Sequence, residues 1–117
     1  MKKVCCNQFG PPENLQRIEV DTPVPQAGEA LISISAAGVG FVDGLMVQGL
    51  YQVKPPLPYY PGSEFAGMVS AVGESVTHVK PGDRVLGMAT NGAYADSVSA
   101  VASSLVKLPA NLADAIA

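Results

Sequence analysis

The sequence predicts a mainly-β domain, a closed or partly closed barrel with one or two short helices, and two observations carry that prediction. Short segments of alternating apolar and polar residues recur along the chain, and clusters of glycine and proline divide them. Around residues 41–49 the pattern changes from the two-residue period of a strand to helical spacing. A chain of 117 residues makes one domain and can bury roughly two thirds of its unfolded surface.

The first strand is expected over Lys3–Phe9, closed by the turn cluster GPPEN, Gly10–Asn14. Within it Cys5 and Cys6 are adjacent and point to opposite faces, so they are poorly placed to bond each other and read as two buried thiols, with a redox pair as the alternative. No further cysteine exists to build a disulfide framework, which fits a reducing, cytoplasmic setting. Leu15–Val20 is the next strand, and TPVPQAGE, Thr22–Glu29, connects it onward. ALISISA then alternates cleanly: Ile32, Ile34 and Ala36 face one way, Ser33 and Ser35 the other, as in a half-buried strand.

In GFVDGLMVQG, Phe41, Val42, Leu45 and Met46 form one apolar stripe, read as core packing rather than a cofactor box, and Gly49 ends the helix. Phe65–Val72 is a second long strand whose internal Gly67 signals a bend or a close backbone approach. Pro81-Gly82 in KPGDRV suits the centre of a type II turn. Arg84–Met88, Ala93–Val101 and Leu105–Leu108 complete the strands. At the end, Asn111 is a candidate N-cap, with Asp114 in the first turn and Leu112 and Ile116 starting an apolar face. A helix that starts and runs less than two turns is too short to stand alone, and suggests a fragment of a longer parent protein.

Several function classes are disfavoured. The net charge of -3 leaves no basic patch for nucleic acid. No apolar run approaches the ~20 residues of a membrane span, and MKKVCCNQF lacks the apolar region of a signal peptide. No Ser/His/Asp or Cys/His arrangement speaks for hydrolysis. GVGFVDG, Gly38–Gly44, approaches a dinucleotide-binding fingerprint, with Glu64 twenty positions further on. Against it stand the looser G-x-G-x-x-x-G spacing, a helix of about eight residues where a parallel crossover needs a dozen or more, and the four prolines of KPPLPYYPG where a parallel strand should come.

The segment PGSEFAGMVSAVGESVTHVKPGDRV, Pro61–Val85, resembles the P-G-x-E-x-x-G-x-V-x-x-V-G and G-D-R-V run of the medium-chain dehydrogenases/reductases, in their zinc-independent quinone oxidoreductase (zeta-crystallin-like) branch. AAGVGFVDGLMVQGLY, Ala36–Tyr51, and GAYADSVSA, Gly92–Ala100, are similar too. The resemblance implies a GroES-like, partly open barrel forming the N-terminal, substrate-side domain over residues 1–117. In the parent a Rossmann domain would follow and bind NADPH, the whole would be a homo-oligomer, and the substrate a quinone or enone. Without that second domain the fragment is expected to be inactive. Zinc-bearing relatives have a Cys ligand where this chain has Gly40 and a His ligand where it has Ser63, and neither replacement is a useful ligand, so no zinc is implied. His78, the single histidine, reads as a solvated turn residue.

Asp43 and Glu64 match carboxylates that lie near the metal in those relatives. Without zinc, Glu64 is expected to anchor the loop by accepting hydrogen bonds; a catalytic acid would need burial to raise its pKa. Quinone reductases usually carry Asn at the position of Gly40 and often Tyr at that of Leu45, whereas Tyr51 matches the family's tyrosine beside the nicotinamide cleft. The resemblance therefore names Gly40, Phe41, Leu45, Tyr51 and Ser63 as cleft residues and KPPLPYY as the rim. Two rivals remain: a stand-alone GroES-like binding or assembly module, and an enoyl reductase domain of a larger synthase.

Overall fold

The computed structural model describes residues 1–113. β1 (Lys2–Cys5) and β2 (Gln16–Glu19) pair antiparallel as a small sheet, with Lys2 opposite Glu19 and Cys5 opposite Gln16. The larger sheet is built from β3 (Glu29–Ala37), β4 (Glu64–Val72), β5 (Arg84–Met88), β6 (Ser97–Val101) and β7 (Val106–Lys107), in the order β6-β3-β4-β5-β7. Every neighbour in it is antiparallel. One α-helix, α1 (Phe41–Gln48), leaves the end of β3. The architecture is the mainly-β, partly open GroES-like fold expected from the sequence.

The alternation in β3 decides what the sheet buries. Ile32 is fully buried while Ser33 and Ser35 are exposed. Phe65, Val69, Val85, Val98 and Leu105 join Ile32 in the main core, contributed by four strands and the short 3-10 turn at Ala102–Ser104. A second cluster of Cys6, Val47 and Tyr59, flanked by Phe9, Leu15 and Met46, holds α1 against the small sheet. Burying a large apolar side chain contributes about 1.5–3 kcal/mol, so the main core carries most of the stability and the second cluster positions the helix.

Several strands are shorter than the sequence pattern suggests, two of them because their partner changes. After Cys5 the backbone exchanges β2 for a new partner: Cys6 and Tyr59 trade N–H to carbonyl bonds of 2.7 and 2.9 Å, and Gly10 donates to Val47 at 3.1 Å. The strand expected to reach Phe9 therefore ends at Cys5. Likewise β6 starts at Ser97 instead of Ala93, because residues 93–96 bond to Gly62, Pro61 and the start of β1. The last strand contracts to Val106–Lys107. Pro109 and Leu112 form a turn whose carbonyls both accept from the Arg84 guanidinium, and Asn111 lies in that turn. The remaining helix signals, Asp114 and Ile116, lie outside the described residues.

Both punctuation signals inside the sheet hold. Gly82 has φ of 96° and the Asp83 N–H returns to the Lys80 carbonyl at 3.1 Å, closing the Pro-Gly turn. Gly67 faces β3 where that strand bulges between Ile34 and Ala36, and a Cβ there would meet the Ser33 carbonyl oxygen at 2.1 Å. Because β3 and β4 on either side of α1 pair antiparallel, no βαβ unit exists and the glycines of 38–44 build no dinucleotide cradle.

Gly67 and Gly44 give opposite expectations. Gly67→Ala should cost about 1–3 kcal/mol by forcing two strands apart. Gly44→Ala, in mid-helix with no atom near the new Cβ, should add about 0.5–1 kcal/mol by helix propensity. Urea unfolding midpoints of the two variants should move in opposite directions.

Candidate functional site

The site is organised by the three residues between β3 and α1. Gly38 donates its N–H to the Glu64 main-chain carbonyl at 3.3 Å and accepts at its own carbonyl a 2.9 Å bond from the Tyr94 hydroxyl. A side chain at Gly38 is impossible without rearrangement, because its Cβ would lie 1.9 Å from Glu64 Oε1. Val39 then stands exposed, and Gly40 enters the helix as its N-cap. Asp43 Oδ2 accepts the Gly40 N–H at 2.8 Å, so this carboxylate closes the first turn and sits where the helix dipole favours negative charge. At the other end, Gly49 adopts φ of 71° and its N–H returns to the Met46 carbonyl at 3.1 Å, stopping the helix.

The apolar stripe of α1 is only partly core. Phe41 is 83% exposed and Val42 46%, whereas Val47, which the stripe did not include, is the buried helix residue. Met46 packs against the second cluster and Leu45 is half-buried. The helix is thus rotated so that Phe41 belongs to an outward surface. Val39, Leu50 and Val53, at 82%, 68% and 59% exposure, extend the same apolar character along the flanking chain.

Tyr51 follows α1 and is half-buried, with no hydrogen bond to its hydroxyl from the described residues. Ser63 is half-buried and its carbonyl accepts from Ala89 at 2.8 Å. In KPPLPYY the two ends behave differently. Lys54 to Pro58 is largely exposed, and its Leu57-Pro58 peptide is cis. Tyr59 is 6% exposed and bonded to Cys6, so it is core and not rim. Tyr60 receives the Lys3 ammonium over its ring at 4.2 Å from the centroid.

Glu64 departs from expectation. Its side chain is exposed, and among the described residues it is the main-chain carbonyl, not the carboxylate, that accepts a hydrogen bond. The carboxylate instead fills the space above Gly38. Its exposure removes the burial that a catalytic acid would need. His78 is exposed as expected, with Nε2 against the Ala102 carbonyl. Cys5 and Cys6 are both buried free thiols, and burial pushes the Cys6 thiol above its ordinary range.

Tyr94 is the site residue that the sequence pattern left unmarked. Its backbone is held from two directions: its carbonyl accepts from Val4 at 2.8 Å, and its N–H donates to Pro61 at 3.3 Å. Gly62, at φ of 105°, makes room, since a Cβ there would meet the Tyr94 nitrogen at 2.5 Å. Burial first, then the charge and hydrogen-bonding capacity of Asp43, then the charge of Glu64, push the Tyr94 phenol far above the ordinary tyrosine range. Tyr59 is raised in the same direction by burial and by Asp43. The signal available in the sequence was a tyrosine inside GAYADSVSA, three residues before β6, which by itself marks nothing chemical.

Among the described residues no group of three or more His, Cys, Asp and Glu could hold a metal ion, and the donor set at Gly40 and Ser63 does not fit zinc. No described helix is long and apolar enough to cross a membrane.

A tyrosine whose pKa rises on folding keeps its proton longer in the native state than in the unfolded chain. Stability is then complete below the ordinary value of about 10 and falls as pH rises through it toward the raised native value. Tyr94→Phe should flatten that alkaline loss. Urea midpoints measured from about pH 8 to pH 11 test this, and a slope unchanged by the substitution would assign the loss elsewhere.

Comparison with known proteins matches this geometry. Residues 26–110 match the alcohol dehydrogenase GroES-like domain. The chain is 40% identical to the quinone oxidoreductase of Lama guanicoe over 114 residues, 96% of this chain and 34% of that protein. It is 48% identical to an alcohol dehydrogenase of Moraxella sp. over 85 residues, 73% of this chain and 25% of that protein. The structure superposes on Escherichia coli quinone oxidoreductase complexed with NADPH with a TM-score of 0.92 at 35% identity, covering 97% of this chain and 35% of that one. The chain spans about a third or less of the length of these relatives. With the family model covering most of its length, and with β3, α1 and β4 arranged around Gly38 and Glu64 as described, the chain belongs to the alcohol dehydrogenase GroES-like domain family, on the quinone oxidoreductase branch of the medium-chain dehydrogenases/reductases.

Proposed function

We propose that this chain is the N-terminal, substrate-side domain of an NADPH-dependent reductase that acts on quinones or activated alkenes without zinc. The observation that carries the reading is the outward apolar surface at the start of α1, where Phe41 is 83% exposed beside Val39. Contiguous apolar exposure of this kind marks a surface that something covers. A nicotinamide ring and a planar acceptor are coverings of the right chemistry, and relatives of the same fold are named for a quinone substrate or were solved with NADPH.

The residues of this chain fit the nicotinamide end of the cofactor and not its diphosphate. Gly40 is the exposed helix N-cap, so no side chain intrudes on the mouth of the cleft. The antiparallel β3–β4 pairing leaves no phosphate cradle here, so the diphosphate would be held by a second domain. NADPH, when bound, supplies a hydride. Phe41 and Leu45 would exclude water from the acceptor, Tyr51 would donate its phenolic hydrogen to an acceptor carbonyl, and Ser63 would line the opposite edge. Asp43 and Glu64 serve as structural carboxylates, the first capping α1 and the second packing on Gly38. No metal is required, because a quinone or enone spreads the arriving negative charge over its own conjugated system. A cytoplasmic location accords with two free thiols at the small sheet.

Full-length protein should oxidise NADPH in the presence of a quinone, and residues 1–117 alone should not. Phe41→Ala should raise KM for the quinone about threefold to tenfold with little change in urea stability, because the ring is already out of the core. An active full-length protein indifferent to Phe41→Ala would remove Phe41 from the wall. A 12 kDa gene product that forms a defined ring and oxidises no NADPH would favour the assembly module.

A further inference from the structure

We infer that Tyr94 is a positioning residue for the cleft, acting through the Gly38 carbonyl on the wall formed by Gly40 and Phe41; the inference rests on the substrate-side reading of that wall. Little else holds the segment. Between the last paired residue of β3, Ala37 opposite Phe65, and the first turn of α1, the chain crosses three residues without a strand partner. Gly38 and Gly40 have no side chains, and Val39 is 82% exposed. The bond from Gly38 to Glu64 is long at 3.3 Å, and the Gly40–Asp43 bond is internal to the helix entrance and moves with it. The Tyr94 hydroxyl, which donates to the Gly38 carbonyl at 2.9 Å and lies beside the Asp43 carboxylate, ties this segment to the rest of the molecule.

The tie is itself rigidly based. Tyr94 is held to β1 by the 2.8 Å bond from Val4, and its neighbour Ala93 donates to Gly62 at 3.1 Å just before Ser63, so one side chain relates both edges of the candidate cleft. Gly40 and Phe41 lie beyond Gly38 on one edge, and Ser63 lies one residue past Gly62 on the other. Loss of the hydroxyl leaves the Gly38 carbonyl to water and lets α1 shift at its entrance while both apolar clusters stay intact. Burial, and then the neighbouring Asp43 and Glu64 carboxylates, raise the phenol further above the ordinary tyrosine range, so it remains a donor.

Tyr94→Phe in the full-length protein separates this role from a purely structural one. The expected result is a rise of about fivefold in KM for the quinone with kcat within about twofold, the signature of lost binding contacts rather than lost chemistry. Backbone hydrogen exchange should quicken at residues 40–43 and remain unchanged in β3 and β4. Unchanged KM and unchanged exchange at 40–43 would overturn the inference. So would uniform acceleration of exchange across the sheet, which would make Tyr94 a general stability residue. Should the unsubstituted protein oxidise no NADPH with any quinone, the proposed reaction falls, and the exchange pattern alone decides the positioning role: local quickening sustains it, and any other pattern ends it.

Discussion

Residues 92–96 bond to two partners at once, and the rest of the architecture depends on that double engagement. On one side Gly92, Ala93 and Tyr94 donate to the carbonyls of Tyr60, Gly62 and Pro61. On the other, Val4 donates to Tyr94, Asp96 donates to the Lys2 carbonyl at 2.9 Å, and Lys2 donates to the Asp96 carboxylate at 2.8 Å. The two sheets share no strand, so this segment and the Cys6–Tyr59 bridge are what make them one body. Backbone groups that a continuous strand would have paired within a ladder are satisfied instead across the seam, as burial demands. The barrel is partly open for the same reason: its closure is made by single bridges in place of a ladder.

The sheet was largely legible in the sequence because its determinants are local. The alternation of Ile32, Ser33, Ile34 and Ser35 fixes which face of β3 is buried, and Pro81-Gly82 fixes a turn through its own dihedral preferences. Gly67 announced a close approach because a strand tolerates an internal glycine only where something presses on it. Strand ends were not legible. Lys3–Phe9 and Ala93–Val101 keep a strand-like pattern past the points where their partners change, and the identity of a partner is a tertiary fact that no local period encodes.

The candidate site was legible through motif order and opaque in its side-chain directions. Asp43 caps α1 at Gly40 and Glu64 packs over Gly38, so residues singled out by motif stand close in the structure. Which way α1 rolls was not readable, since Phe41, Val42, Leu45 and Met46 share helical spacing equally well with a buried or an outward face. The roll is decided by Val47, which enters the cluster of Cys6 and Tyr59 from a segment distant in sequence. Tyr94 escaped notice for a related reason: its importance comes from the group its hydroxyl reaches, 56 residues away.

Gly40 is less constrained than Gly62 and sits in more open space than Gly38. Its φ is -107°, ordinary extended backbone, and a Cβ there would meet nothing nearer than the Asp43 carboxylate at 3.4 Å. The fold therefore demands glycine at 62, requires at 38 only that the exposed Glu64 side chain move aside, and merely permits glycine at 40. Position 40 is sterically open: a replacement there would give this wall an amide or a thiol while cap, seam and core stay in place. The chemistry of this wall can then be changed at one position without rebuilding the frame that carries it.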